Sequence, residues 1–565
     1  MSHLSKVFNK VPVKVQKRSG FDLSHENLFT ATVGTLIPAS VEEVMPGDVV
    51  SVGGAMSVEL PPLATNFKGR VDARLEAFFV PNRLLWAGWQ DFICQDPNHA
   101  PAVPGFTVPN SIPKVALKAS NTGVGTLTDY LGCRDLTLTG ATTLTVNALP
   151  YLAYQKIIDD WYRDSNIQNP FFFDGITTLG SGNYYAAGSP YIRTSGNLSA
   201  DASGTTVTGN GCWTGYNGRK VTQLAQRNFA KDYFTTMTTA PQAGAASQLQ
   251  FSINADATGA ALINGDTVSD GDALGSAKFS IASLRAANAL QKWLERNNIA
   301  GTRYYDQILA HYGVLPSDAV FQRAVLLGAQ TVPVIVNSIA STNNNNPGTG
   351  SQYADVTSTI GKNPYGKTIG AQFGNGRAFG KDRLINNFEV KEHGYIFILF
   401  SLVPHAYYST GCRRYLAYRD GSSDFAFPEF AGIGDQEVYK YEMFSGALTD
   451  ASMPVLGYSQ RYAEYKYHDD EVHGLLADGQ SLKSFVLQRG FDTTVSLNTS
   501  MLEIPKTYMD DVMVTATGVS GFNAIVDCYF DAKYLRPLPE YSLPTLCESE
   551  GEGKKIYVNK GGTRL

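Results

Sequence analysis

Two hydrophobic periods run along this chain, and the shorter one dominates. From Arg70 to Val80, the residues Val71, Ala73, Leu75, Ala77 and Phe79 fall on one side, while Arg70, Asp72, Arg74 and Glu76 fall on the other. That alternation predicts a half-buried β-strand ended by Pro81. Pro12–Gln16 is short and alternates. Val44–Leu60 is extended but broken at the Pro46-Gly47-Asp48 turn and at Gly53-Gly54. Phe388–Val403 predicts a strand pair or one long strand broken at Gly394. Asp511–Tyr534 supplies the last strands, with Val512 and Val514, then Ala524, Val526, Cys528 and Phe530, alternating. Strands near both chain ends with long excursions between them predict one sandwich or barrel that both ends close.

The helical period appears in three places. Leu84–Ile93 predicts a short helix rich in Trp86, Trp89 and Phe92. Tyr151–Asp164, behind Pro150, carries an apolar stripe of Tyr151, Tyr154, Ile158 and Trp161, and a wet face of Lys156, Asp159, Asp160 and Arg163. Ser283–Gly328 is the longest island. Ile281, Leu284, Ala287, Leu290 and Leu294 recur at helical spacing with Trp293 at their edge, opposite a polar face running from Arg285 to Arg296. Asn297-Asn298 and Gly301 stop that helix. Thr302 caps a second one that turns Tyr305, Ile308, Leu309 and Tyr312 inward and ends at Gly313. The expectation is two helices packed on a sheet, followed by an extended run.

Composition narrows the class. The chain has 565 residues, of which only 17% are charged, with 54 Gly, 30 Tyr and 29 Phe. Such a composition excludes disorder and suits a β-rich protein whose surface is largely covered by partners. The six cysteines form no CxxC pair, which points to isolated reduced thiols and not to a zinc or disulfide framework. With no N-terminal apolar h-region, no secretory signal is expected, and no apolar run reaches the ~18 residues of a membrane span.

Charge divides the chain into an expected domain plan. Residues 1–20 form a basic arm with Lys6, Lys10, Lys14, Lys17 and Arg18 and no acid, and residues 554–565 form a basic tail with Lys554, Lys555, Lys560 and Arg564 and no acid. Removing those nine positive charges from the net −5 leaves −14 for residues 21–553, read as a single elaborated domain. These nine residues are the candidate nucleic-acid contacts, since basic ends on an acidic body suit a polyanion. Within the body, residues 175–218 hold only two charges, Arg193 and Asp201, and read as a surface protrusion. Gly244–Gly275 resembles them, residues 281–328 are the helical insertion, and residues 341–380 read as Gly/Asn-rich loops.

Catalytic signals are weak. Gly361–Thr368 matches the phosphate-loop pattern G-x-x-x-x-G-K-[ST], but Gly370, Gly374, Gly376 and Gly380 follow where that loop needs a helix. His468-Asp469-Asp470-Glu471-Val472-His473 offers metal-ligand types without a metal-ligand pattern and reads as an exposed loop. No G-x-S-x-G elbow and no Cys/His signature is present. No enzyme, cofactor or metal is expected. Two alternatives stay open at this level: a secreted β-sandwich glycan-binding protein or glycosidase, and a nucleotide binder at Gly361–Thr368.

An ordered set of blocks adds a resemblance. It comprises Gly301-Thr302-Arg303-Tyr304, His311-Tyr312-Gly313-Val314, Ser317-Asp318-Ala319, Gln322-Arg323 and Leu327-Gly328. Gly20–Ser24, Leu149–Tyr154, Trp161–Asp164, Asp232–Thr235, Ala240–Gln242, His393–Ile396 and Ala463–Tyr467 support it. The set resembles the major capsid proteins of the Microviridae, small single-stranded DNA bacteriophages, with the gokushoviruses as the nearest group. Ala300, Ala240 and Ala324–Leu326 depart from the family pattern. The resemblance implies an all-β viral jelly roll, two antiparallel sheets with long loop and helical insertions. It also implies 60 copies in a T=1 icosahedral shell, circular single-stranded DNA inside, an internal scaffolding protein, a DNA pilot protein and a host cell-surface receptor.

Overall fold

The computed structural model describes residues 18–94, 112–171, 219–241, 304–340, 372–417 and 424–540 with short internal gaps, the strands at 10–14 and 555–559, and isolated segments between 178 and 296. Its strands are β1 (Lys10–Lys14), β2 (Ser19–Asp22), β3 (His25–Ala31), β4 (Ile37–Val44), β5 (Val49–Glu59) and β6 (Val71–Pro81). After the long excursion come β7 (Val325–Pro333), β8 (Ile335–Ala340), β9 (Gln372–Glu389) and β10 (Gly394–Pro404). A second excursion carries β11 (Asp435–Tyr439) and β12 (Val455–Gln460), and β13 (Ala524–Arg536) and β14 (Lys555–Asn559) close the chain.

Two antiparallel sheets face each other. One has the order β7-β6-β10-β4; the other has β8-β9-β5-β13-β2, with β3 also paired to β13. This is the two-sheet sandwich of a jelly roll. The alternation of β6 does what its spacing predicts. Val71, Ala73, Leu75, Ala77 and Phe79 enter the core between the sheets, while Phe78 and Val80 enter a second core on the outer side. Strand β10 is buried at every position, which explains why Tyr395–Val403 is apolar except at Ser401, whose hydroxyl accepts from Arg227 at 3.0 Å. Its Ile396, Ile398, Phe400 and Leu402 join the inner core; Tyr395, Phe397 and Leu399 join the outer one. In β13, Ala524, Val526, Cys528, Phe530, Ala532 and Tyr534 turn inward in strict alternation.

The outer core lies under α1 (Leu149–Ile157), which continues as a π-helical turn, Ile158–Tyr162. Its stripe of Tyr151, Tyr154 and Ile158 is buried as expected, and the indole Nε1 of Trp161 donates to the Ala324 carbonyl at 2.8 Å. Its expected wet face is not wet. Asp159 is buried and accepts from the Phe171 amide at 2.8 Å. Asp160 accepts from the Ala324 amide at 2.8 Å and pairs with Lys156 at 3.0 Å. These carboxylates are consumed in pinning distant chain segments to the helix.

Several other expectations are corrected. Gly53 and Gly54 do not break β5, which runs through both. Gly54 lets a bulge in β9 approach, since a Cβ there would meet Leu384 Cδ1 at 2.6 Å. The loop expected at 341–380 ends earlier, because Gly374, Gly376, Gly380 and Phe388 all lie in β9, an 18-residue strand. Leu84–Ile93 divides into a 3-10 turn, Asn82–Leu84, and a helix, Trp89–Cys94. Val512 sits in a 3-10 turn, not a strand.

The helical island differs most. Its second helix, α2 (Tyr304–Tyr312), forms where predicted. Yet Leu290, Trp293, Leu309 and Tyr312 are exposed, Tyr312 at 78%, and Trp293 stacks on His311 with ring centroids 6.2 Å apart. These four side chains, expected to pack on a sheet, are open in the single chain. In residues 175–218 the described part includes an antiparallel pairing of Asn183–Tyr184 with Thr178–Leu179, and in 244–275 it is a three-stranded meander. No helix among the described residues is long and apolar enough to cross a membrane.

Candidate functional site

The two basic ends meet. β1 pairs antiparallel with β14, Lys10 opposite Asn559, Pro12 opposite Tyr557 and Lys14 opposite Lys555. Directly opposed residues of an antiparallel pair share a face, and alternate residues share it too. Lys10, Pro12, Lys14, Lys555, Tyr557 and Asn559 therefore hold one face of a two-stranded ribbon, and Val11, Val13, Ile556 and Val558 hold the other. Charge reading alone placed Lys10, Lys14 and Lys555 on separate tails; the register brings these three together. The alternation of Val11 and Val13 against Ile556 and Val558 was the available signal for the pairing.

Arg18 has a different setting. Its Nη2 pairs with Glu389 Oε1 at 3.2 Å, next to the buried Asp48–Arg536 pair at 3.3 Å. Burial raises the Asp48 carboxyl above its usual range, with Arg536 and Arg18 opposing it. Arg18 thus anchors the arm where it enters β2. Lys6, Lys17, Lys554, Lys560 and Arg564 lie outside the described residues, as does Gly361–Thr368. The chain beyond that glycine-rich stretch is strand β9 from Gln372 onward.

A cavity of about 380 Å³ opens in the excursion between β10 and β13, lined by Tyr408, Arg413, Glu442, Glu464, Asp469 and Glu471 among others. It sits over a third apolar core that includes Tyr233, Phe234, Tyr408 and Val438. The Tyr233 hydroxyl donates to Glu442 Oε2 at 2.9 Å, and the Tyr439 amide donates to Oε1 at 3.0 Å. Arg414 lies 3.5 Å from Glu442 and 3.9 Å from Glu464. Burial nevertheless raises the Glu442 carboxyl. Asp469 is pushed up to about 6 by burial and by the neighbouring Asp232 carboxylate, against the pull of Arg413. The expected exposed loop His468–His473 therefore contributes one half-buried acid to a cleft. Its Glu471 pairs with Arg413 at 2.5 Å and His473 at 3.2 Å. Among the described residues, no three His, Cys, Asp or Glu side chains group to hold a metal.

The cleft's polar groups are ion pairs and hydrogen bonds that tie parts of the excursion to one another and, through Tyr233, to the segment around residue 233. The comparisons with known proteins agree with a structural role. The profile of the family described as "Capsid protein (F protein)" matches residues 9–272 and 268–546. The capsid protein VP1 of Chlamydia phage 1 is 26% identical, over 95% of this chain and 97% of that protein. VP1 of Bdellovibrio phage phiMH2K is 24% identical, over 96% and 98%, and VP1 of Spiroplasma virus 4 is 25% identical, over 94% and 95%. With the family profile covering nearly the whole chain and the jelly-roll sheets in place, the chain belongs to the capsid protein (F protein) family of the Microviridae, as a structural protein of the virion and not an enzyme.

Proposed function

We propose that this chain is the repeating wall unit of a T=1 icosahedral shell, 60 copies around circular single-stranded DNA, and that its paired basic ends face the packaged strand. The observation that supports the interior assignment is the β1–β14 ribbon, which gathers Lys10, Lys14 and Lys555 beside Tyr557 on one face. Lysines neutralise phosphates without sequence preference, and a tyrosine offers a base a stacking surface. Replacing Lys10, Lys14 and Lys555 by Gln tests it. Three lost phosphate contacts should flatten the logarithmic salt dependence of single-strand binding by about 2, and particles should hold less DNA. Unchanged DNA content and an unchanged salt slope would assign the ribbon another role.

In this reading the shell is built in the bacterial host cytoplasm with an internal scaffolding protein and a DNA pilot protein. The nearly uncharged segment 175–218 is the exterior protrusion that contacts a host cell-surface receptor. Deleting it should leave particle formation intact and reduce adsorption; loss of particles would remove the exterior assignment.

A further inference from the structure

We propose that the aromatic face around the cleft between β10 and β13 is a contact surface for a second copy of this chain, with a lysine or arginine of that copy entering the cleft. The inference rests on the shell reading, since it takes a second copy as the occupant. Of the 29 exposed large apolar side chains among the described residues, 13 fall between Tyr415 and Phe485. That density is what a covered surface requires and a solvated one avoids.

Three of these side chains border the cleft itself. Tyr415, Tyr465 and Tyr467 line it at 64%, 58% and 54% exposure. Phe427 packs edge-on against Phe430, and its amide donates to the Tyr462 hydroxyl at 3.3 Å, while Tyr462 packs edge-on against Tyr465. These contacts run from Phe430 through Phe427 and Tyr462 to Tyr465, beside the cleft.

Charge selects the group that enters. Four carboxylates line the cleft, Glu442, Glu464, Asp469 and Glu471, against two guanidinium groups, Arg413 and Arg414. The excess of negative charge, enclosed by tyrosine faces, is complementary to a cation. The Asp469 carboxyl is raised first by burial and then by Asp232, with Arg413 opposing, so a further cation beside it would stabilise its charged form. An incoming ammonium or guanidinium would lower it and replace water at the cleft floor.

The test uses the full-length chain assembled into particles, compared with the same particles dissociated into subunits. Tyrosine-directed radical or nitration labelling, read by peptide mass spectrometry, should show Tyr415, Tyr465 and Tyr467 protected about tenfold or more in particles. Carbodiimide, which joins carboxylates to amines in contact, should link Asp469 or Glu471 to a lysine of a neighbouring copy. The variant Tyr415→Ser/Tyr467→Ser should keep the circular-dichroism spectrum of the wild-type subunit and need about tenfold more protein to form particles. Wild-type particles whose Tyr415, Tyr465 and Tyr467 stay as reactive as in free subunits, or a variant that assembles at the wild-type concentration, overturn the surface alone. A wild-type chain that forms no particle under any condition sinks the shell reading, and this surface with it.

Discussion

A methyl group at position 328 has nowhere to go. It would run into the carbonyl oxygen of Leu384, the residue that bulges out of β9 and also overlies Gly54. Gly328→Ala should therefore destabilise the jelly roll by about 1–3 kcal/mol, seen as a lower thermal midpoint of the subunit. The bulge was not legible in the sequence. Gly53-Gly54 carries the same letters whether it ends a strand or admits a neighbouring side chain, and only the pairing partner decides. Asp469 makes a second residue-scale prediction. Its folded-state carboxyl lies near 6 against an ordinary 3.8, pushed up by burial and by Asp232, with Glu471 adding to the push and Arg413 opposing it. A raised acid binds its proton more tightly when folded. Its contribution to subunit stability should fall as pH rises from about 4 to about 6 and stay flat above. In Asp469→Asn that part of the slope should vanish; an unchanged slope would place the titration elsewhere. Cys528, wholly buried and with its thiol pushed up to about 12 by burial, should resist thiol reagents in the native subunit.

At the scale of elements, the polar side of β6 shows what alternation can and cannot tell. Spacing places Glu76 opposite Leu75 and Ala77, but not what it meets. It meets Arg227, 2.5 Å away, and the Tyr162 hydroxyl, 2.5 Å away, at a point where three distant segments converge. Burial alone would raise the Glu76 carboxyl, yet Arg227 and Tyr162 hold it below the usual range. Arg227→Ala leaves that carboxylate buried without its charge partner and should cost about 3–5 kcal/mol in an unfolding titration. A loss under about 1 kcal/mol would mean that water replaces the arginine. The ribbon of β1 and β14 makes a different prediction, since each strand is the other's only named partner among the described residues. Removing residues 554–565, and β14 with them, should open the arm at Lys10–Lys14 to trypsin. An arm equally resistant with and without the tail would show that the pairing is not maintained in solution.

Across the whole molecule, the sheets were the most legible part, because a strand buried on one or both faces writes its environment into its own residues. Val71–Phe79 and Ala524–Phe530 alternate, and Tyr395–Val403 does not, for that reason. The helical island illustrates the limit. Its apolar stripe was plain, but a stripe shows only that a face seeks cover. Leu309 and Tyr312 are exposed in the single chain, so the stripe alone did not tell what it meets. The cleft bordered by Tyr415 and Tyr467 was not legible either, because its lining residues lie far apart in sequence. A capsid-family chain with few charges and open apolar side chains is suited to completion by copies of itself. Cryo-electron microscopy of particles from cells expressing this chain tests that account most directly. It predicts a closed icosahedral shell of 60 copies with the Lys10–Lys14/Lys555–Asn559 ribbon against density for the packaged strand on the inner surface. Particles that are not icosahedral, or a ribbon on the outer surface, would contradict it.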